Sequence, residues 1–123
     1  MSRLPAHVLA QRLDDIEAWP RWAPVSAVRR AGAEPGLPVR EIRTGVLVVR
    51  EAVVAHWPGR GQRYRLLSGL PLKNYEGRVM LTDANPGTSI EWEAQFDAPP
   101  LFAWFWRAAI RYVLRRYVHG LAR

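Results

Sequence analysis

The sequence contains no cysteine. That excludes disulfides, thiolate metal sites and cysteine nucleophiles. Lysine is nearly absent too: Lys73 is the only one, so arginine supplies almost all of the positive charge. No apolar run approaches the roughly 20 residues of a membrane-spanning helix. The opening Met-Ser-Arg-Leu-Pro lacks the apolar core of a secretory signal, which makes the cytoplasm the expected compartment. There is no phosphate loop or dinucleotide fingerprint. His7, His56 and His119 fall on separate segments without ligand spacing, so neither a metal nor a cofactor is expected. Ser26, Ser68 and Ser89 occupy no strand-to-helix elbow of the kind a nucleophile needs.

What is present suits one globular domain over residues 1–123. Hydrophobic residues are 49% and charged residues 24% of the chain, and a chain of this length buries about two-thirds of its unfolded surface. The formal charge of +7 raises the question of an acidic partner. The arginines, however, are spread along the chain and alternate with apolar residues. That is the pattern of a solvated outer sheet face, and it speaks against nucleic acid.

Leu4 to Leu13 reads as a helix with Pro5 in its first turn, and Asp14 to Trp22 as a second short helix ended by Pro24. The period then changes to two. Val25–Arg30, Val39–Thr44, Val46–Trp57, Gln62–Ser68, Asn74–Thr82 and Thr88–Phe96 read as strands. Turns fall at Gly32 with Pro35 and Gly36, at Gly45, at Pro58-Gly59, at Gly69 with Pro71, and at Pro86-Gly87. In the last strand Thr88, Ile90, Trp92, Ala94 and Phe96 share one face, opposite Ser89, Glu91, Glu93 and Gln95. The covering element is the segment from Pro100 to Arg123, a helix of about six turns. Its arginine stripe is Arg107, Arg111 and Arg115. Its opposite stripe is Phe102, Phe105, Trp106, Ala109 and Val113, with Arg116 nearby. The fold class is therefore α+β: two short helices, a curved antiparallel sheet of six strands, and a long C-terminal helix packed on it. A closed pocket is expected between sheet and helix.

The residues that punctuate this order resemble the START-like (SRPBCC, helix-grip) superfamily, in particular its polyketide cyclase/dehydratase-type members. The resemblance rests on Pro5, Val8, Asp14-Asp15, Trp19 and Trp22-Ala23-Pro24 at the start, and on Val39-Arg40-Glu41-Ile42 in a strand. Gly69-Leu70-Pro71-Leu72-Lys73-Asn74-Tyr75 is similar to the latch-and-strand region of plant abscisic-acid receptors, and Gly87-Thr88 with Trp92 and Phe96 to the usual final strand. There are two departures. The family's strand before the first helix, which would make a seventh, has no counterpart, so an open sheet edge would allow a homodimer. The receptors' gate and anchoring lysine are also unmatched; the corresponding stretches are Arg43-Thr44-Gly45-Val46 and Ala23-Pro24-Val25.

The resemblance implies an apolar ligand, and the covered face supplies the expected lining: Ile42, Thr44, Tyr64, Leu66, Tyr75, Val79, Leu81, Ile90, Trp92, Ala94, Phe105, Ala109 and Arg116. It also matches Glu51 to a family glutamate that points into the pocket. The strand agrees, since Leu47, Val49, Val53, Ala55 and Trp57 alternate onto Glu51's face. A carboxylate there would have a raised pKa and exchange protons, a tyrosine could orient a carbonyl, and an arginine could hold an acid group. Glu51 and Tyr75 are the candidate catalytic groups. The plainer alternatives are that the tyrosines are wall residues, that Glu51 and Arg116 form a buried pair with each other or with other groups, or that Arg116 reaches into solvent. Trp104 falls among the arginines. Exposed, it would allow peripheral membrane contact with Arg107 and Arg111 near the headgroups; packed on a loop, it would be structural.

Three functions remain in view. One is binding or transport of an apolar molecule such as a polyketide, lipid or quinone. The second is an aromatase/cyclase-type enzyme acting on a polyketide-like substrate. The third is an interaction protein using its basic surface or open sheet edge. Fold alone does not separate them, so whether the protein is an enzyme stays open.

Overall fold

The computed structural model describes residues 1–34 and 37–123. Helix α1 is Ala6–Asp14, followed by a 3-10 turn over Ile16–Arg21. Six strands come next: β1 (Ala27–Glu34), β2 (Leu37–Thr44), β3 (Leu47–Trp57), β4 (Gly61–Ser68), β5 (Lys73–Asp83) and β6 (Thr88–Asp97). A short 3-10 turn, Pro100–Phe102, leads into helix α2, Ala103–Ala122. The strands lie in chain order in one curved antiparallel sheet with α2 across its concave face, the helix-grip arrangement. Consecutive strands pair because short turns leave them no other neighbour.

Several boundaries moved. Helix α1 begins at Ala6, because Pro5 is extended and serves as its cap, its carbonyl accepting from the Val8 amide. Gly32 lies inside β1 at an irregularity of the β1–β2 ladder, with φ 85°, rather than in a turn. The expected turn residues Pro35 and Gly36 lie outside the described residues. At the other edge of the sheet, Ser2 makes one antiparallel bridge to Thr88, each amide donating to the other's carbonyl at 2.8 Å. The Ser2 hydroxyl also donates to the Ala122 carbonyl at 2.7 Å, so the chain start is tied to both β6 and the end of α2.

The interior divides into three apolar clusters along the groove between sheet and helices. Leu9 and Leu13 of α1 pack on Val79, Leu81 and Leu121, and burying each such side chain contributes about 1.5–3 kcal/mol. Trp19 joins Val28, Ile42 and Tyr117. Tyr64, Leu72 and Tyr75 form the third cluster. Trp92 touches all three, edge-on to Tyr117 at 5.1 Å between ring centroids. Gly120 lets α2 close on the 3-10 turn, because a Cβ there would strike the Trp22 carbonyl.

The roll of α2 is the main correction to the sequence reading. Its buried residues are Leu114, Tyr117, Gly120 and Leu121, a line between the two expected stripes. The anticipated apolar stripe is turned toward the edge of the groove, leaving Phe102, Phe105 and Val113 exposed. The arginine stripe leans the other way, over β6.

Candidate functional site

An apolar cavity of about 400 Å³ lies between α2 and the concave face of β2, β3, β4 and β5, within the size range of small-molecule pockets. Cross-strand register builds its floor. Ile42 is opposite Val49 and Thr44 opposite Leu47, and all four line the cavity on one face. Trp106, Ile110 and Tyr117 of α2 form its roof. It is open rather than closed, because Thr44, Leu47, Tyr112, Val113 and Arg116 line it and are also exposed. Two of the wider surface clefts are walled by charged side chains. One runs between β6 and α2 beside Glu93, Arg107 and Arg111, the other beside α1 at Arg12, Asp15 and Arg21.

At the inner end sits a buried polar network. Arg40 Nε donates to Glu51 Oε1 at 2.9 Å, and its Nη1 donates to Gln62 Oε1. The guanidinium is stacked between two rings, 4.6 Å from the Trp19 centroid and 4.7 Å from that of Tyr64. These contacts satisfy a charge that would otherwise be very costly to bury. The Tyr64 hydroxyl accepts from Trp92 Nε1 at 2.8 Å. Gly77 makes this geometry possible, since any Cβ there would collide with the Tyr64 ring lying over it.

Burial pushes the Glu51 carboxyl above its usual range, and the adjacent Arg40 works against that shift. Burial also pushes the hydroxyls of Tyr64, Tyr75 and Tyr117 well up; the next cause is charge repulsion between the Tyr64 and Tyr75 phenol groups for Tyr64, and the Glu51 charge for Tyr75 and Tyr117. These phenols therefore stay protonated at neutral pH. They can donate or accept a hydrogen bond to a carbonyl or hydroxyl, but they are poor bases.

Of the expected lining residues, Ile42, Thr44, Glu51, Tyr64, Tyr75, Ala109 and Arg116 meet at this cavity. Val79, Leu81 and Ile90 instead pack beneath α1. Leu66, Trp92 and Ala94 belong to the packing around Tyr64 and Tyr75 without lining the cavity. Phe105 is exposed because of the roll of α2. Glu51 and Arg116 do not pair: Glu51 is held by Arg40, while Arg116 lies at the mouth against Tyr112, donating to its hydroxyl at 3.3 Å. Ala55 and Trp57 leave Glu51's face because of a bulge after Val53; the extra residue brings His56 to the α1 side of the sheet, where its exposed ring meets Asp14 at 3.0 Å. Arg40 was missed, although it stands two residues before Ile42 and so shares its face.

Solved structures support the architecture. The di-domain ARO/CYC StfQ from the steffimycin biosynthetic pathway matches with a TM-score of 0.81 at 13% identity, over 98% of this chain and 46% of that one. The present chain thus spans about half the length of that protein. A START superfamily protein from Mycobacterium smegmatis matches with a TM-score of 0.69 at 16% identity, over 98% of this chain and 91% of that one. The Zhui aromatase/cyclase from Streptomyces sp. R1128 matches with a TM-score of 0.63 at 15% identity, over 97% and 82%. At such identities the likeness shows the fold. No curated protein matches the sequence. The family described as polyketide cyclase / dehydrase and lipid transport matches residues 2–123. With nearly every residue covered, the chain belongs to that family.

Proposed function

We propose that residues 1–123 act as one ligand-binding domain that takes up an apolar small molecule, of polyketide, lipid or quinone type, in the cavity under α2. The observation that carries this reading is a pocket with largely apolar walls and a buried polar group of Glu51, Tyr64, Tyr75 and Tyr117 at its inner end. A ligand would lay its apolar body along Ile42, Val49 and Ile110 and turn a carbonyl or hydroxyl toward Tyr64, Tyr75 or Tyr117. Carriage is favoured over catalysis by the state of Glu51. Its carboxylate is tied to Arg40, which is itself fixed by Gln62 and two rings, so it is poorly placed to give and take protons freely.

Native mass spectrometry of protein purified from its own host tests this directly. A copurifying apolar molecule at near one per chain is the expected result. A stable, empty protein that takes up no added apolar ligand would count against the reading.

The alternative is an aromatase/cyclase-type enzyme. It is favoured by the presence of Glu51, Tyr64 and Tyr75 on one cavity, where protonated phenols could orient the carbonyls of a poly-β-keto chain. Glu51→Gln and Tyr75→Phe separate the two readings. The discriminating readout is turnover: an enzyme loses it at little changed affinity, whereas a carrier shows none in the unsubstituted protein and at most binds its ligand more weakly in Tyr75→Phe.

A further inference from the structure

The cavity does not account for the exposed apolar surface around it. Leu101 and Trp104 are 82% and 72% exposed, and Phe102 and Phe105 lie beside them in the open. Phe102, Phe105, Ala109, Val113 and Arg116 follow one another at helical spacing, and the last three line the cavity. The exposed aromatics therefore continue the rim of the mouth. Across the mouth, the two-residue turn between β2 and β3 carries Val46 at its tip, fully exposed, where such turns favour glycine or polar residues. A contiguous apolar rim of this kind marks an interaction surface.

Charge says what it meets. From Ala98 to Arg123 the sequence has five arginines and no acidic residue. Trp104 shares its flank of α2 with Arg107 and Arg111, both exposed, and Arg116 is exposed on the other flank. A helix with aromatic side chains at one end, arginines on both flanks and no carboxylate suits an anionic lipid interface. There the rings enter the acyl boundary and the guanidinium groups stay with the phosphates.

We propose that the first turns of α2, with Val46 and Leu47 opposite, dock the protein on an anionic membrane surface with the cavity mouth turned to the bilayer. That the mouth serves ligand exchange rests on the ligand-binding reading above; the docking itself does not.

The absence of native cysteine makes the test direct. Leu101→Cys carries an environment-sensitive dye, and Glu91→Cys on the outer face of β6 is its control. Phosphatidylcholine vesicles with and without phosphatidylserine are the probe. The protein should sediment with the anionic vesicles, less so as salt rises, and the dye at position 101 alone should shift to the blue. Trp104→Ser with Phe105→Ser should weaken partitioning about tenfold. Arg107→Ala with Arg111→Ala should weaken it about thirtyfold on anionic vesicles and leave neutral ones unaffected. Circular dichroism and thermal unfolding confirm that these surface variants are folded.

No sedimentation with either vesicle at low salt overturns the proposal, as does sedimentation with a dye that stays water-like. A blue shift that grows with protein concentration in lipid-free buffer also overturns it, and makes the rim a protein interface. Vesicle binding by a protein that takes up no ligand would sink only the ligand reading; ligand uptake without vesicle binding would sink only this one.

Discussion

The dipeptide Arg-Glu occurs twice, as Arg40-Glu41 in β2 and Arg50-Glu51 in β3, and the antiparallel register sets Arg40 opposite Glu51 and Glu41 opposite Arg50. One sequence motif thus makes two cross-strand ion pairs, one on each face of the sheet. On the outer face, Glu41 is gripped by Arg29 at 3.1 Å, Arg50 at 3.1 Å and Arg43 at 3.3 Å, all three half-exposed. On the inner face, Arg40 is the one cation paired with Glu51 among the described residues, and both are buried. The Glu41 carboxyl is held below its usual range, first by the Arg29 hydrogen bond; the Glu51 carboxyl is raised by burial. Both carboxylates are shielded from solvent, so the contrast shows that the number of arginine partners, rather than residue identity, sets what a carboxylate can do here.

The inner pair should give the largest effects. Glu51→Gln leaves Arg40 charged and only partly compensated in the interior, at an expected cost of about 3–5 kcal/mol in urea unfolding. Arg40→Met with Glu51→Leu should recover most of that loss, since a buried pair is often replaceable by apolar groups. No recovery in the double variant would show that the cost lies in packing rather than charge.

Arg40→Met alone gives the pH test. Without its arginine, Glu51 is raised by burial unopposed, so the folded state holds the proton more tightly than the unfolded chain does. The variant's stability should be greatest below the unfolded carboxylate value, near 4.3, and fall as pH rises through the folded one. A flat profile would mean that water reaches Glu51.

Next in size is Gly77→Ala, whose Cβ displaces the Tyr64 ring and with it the bond from Trp92. A loss of about 1–3 kcal/mol is expected, together with weaker ligand uptake. Tyr64→Phe keeps the ring but leaves the Trp92 indole without its acceptor, and should cost about 1–2 kcal/mol.

Glu41→Gln on the outer face should have the smallest effect. The sign with pH is reversed: a lowered folded pKa adds stability above the ordinary carboxylate value and loses it as pH falls through the folded one. Salt should shrink the effect, because the arginines around Glu41 are open to solvent. A salt-insensitive loss as large as that of Glu51→Gln would erase the distinction between the two faces.

The alternation that marks Glu51 as inward was legible because its apolar neighbours Leu47 and Val49 repeat with period two. Arg40 obeys the same rule through Ile42, yet an arginine in an alternating strand reads as solvated unless its partner is known. That partner is eleven residues away and is reached only through the β2–β3 register. The bulge after Val53 was equally hidden: one extra residue exchanges the faces of Ala55 and His56 with no signature in local composition.

Local periodicity by itself therefore determined the six strands, their order and the covering helix, because each depends on neighbours a few residues apart. Tertiary structure decided the roll of α2, and with it which side chains roof the cavity and which rim its mouth. That helix carries apolar residues around most of its circumference, so its own hydrophobicity leaves several rolls close in energy. The curved sheet, Trp22 against Gly120 and Trp92 against Tyr117 select one of them.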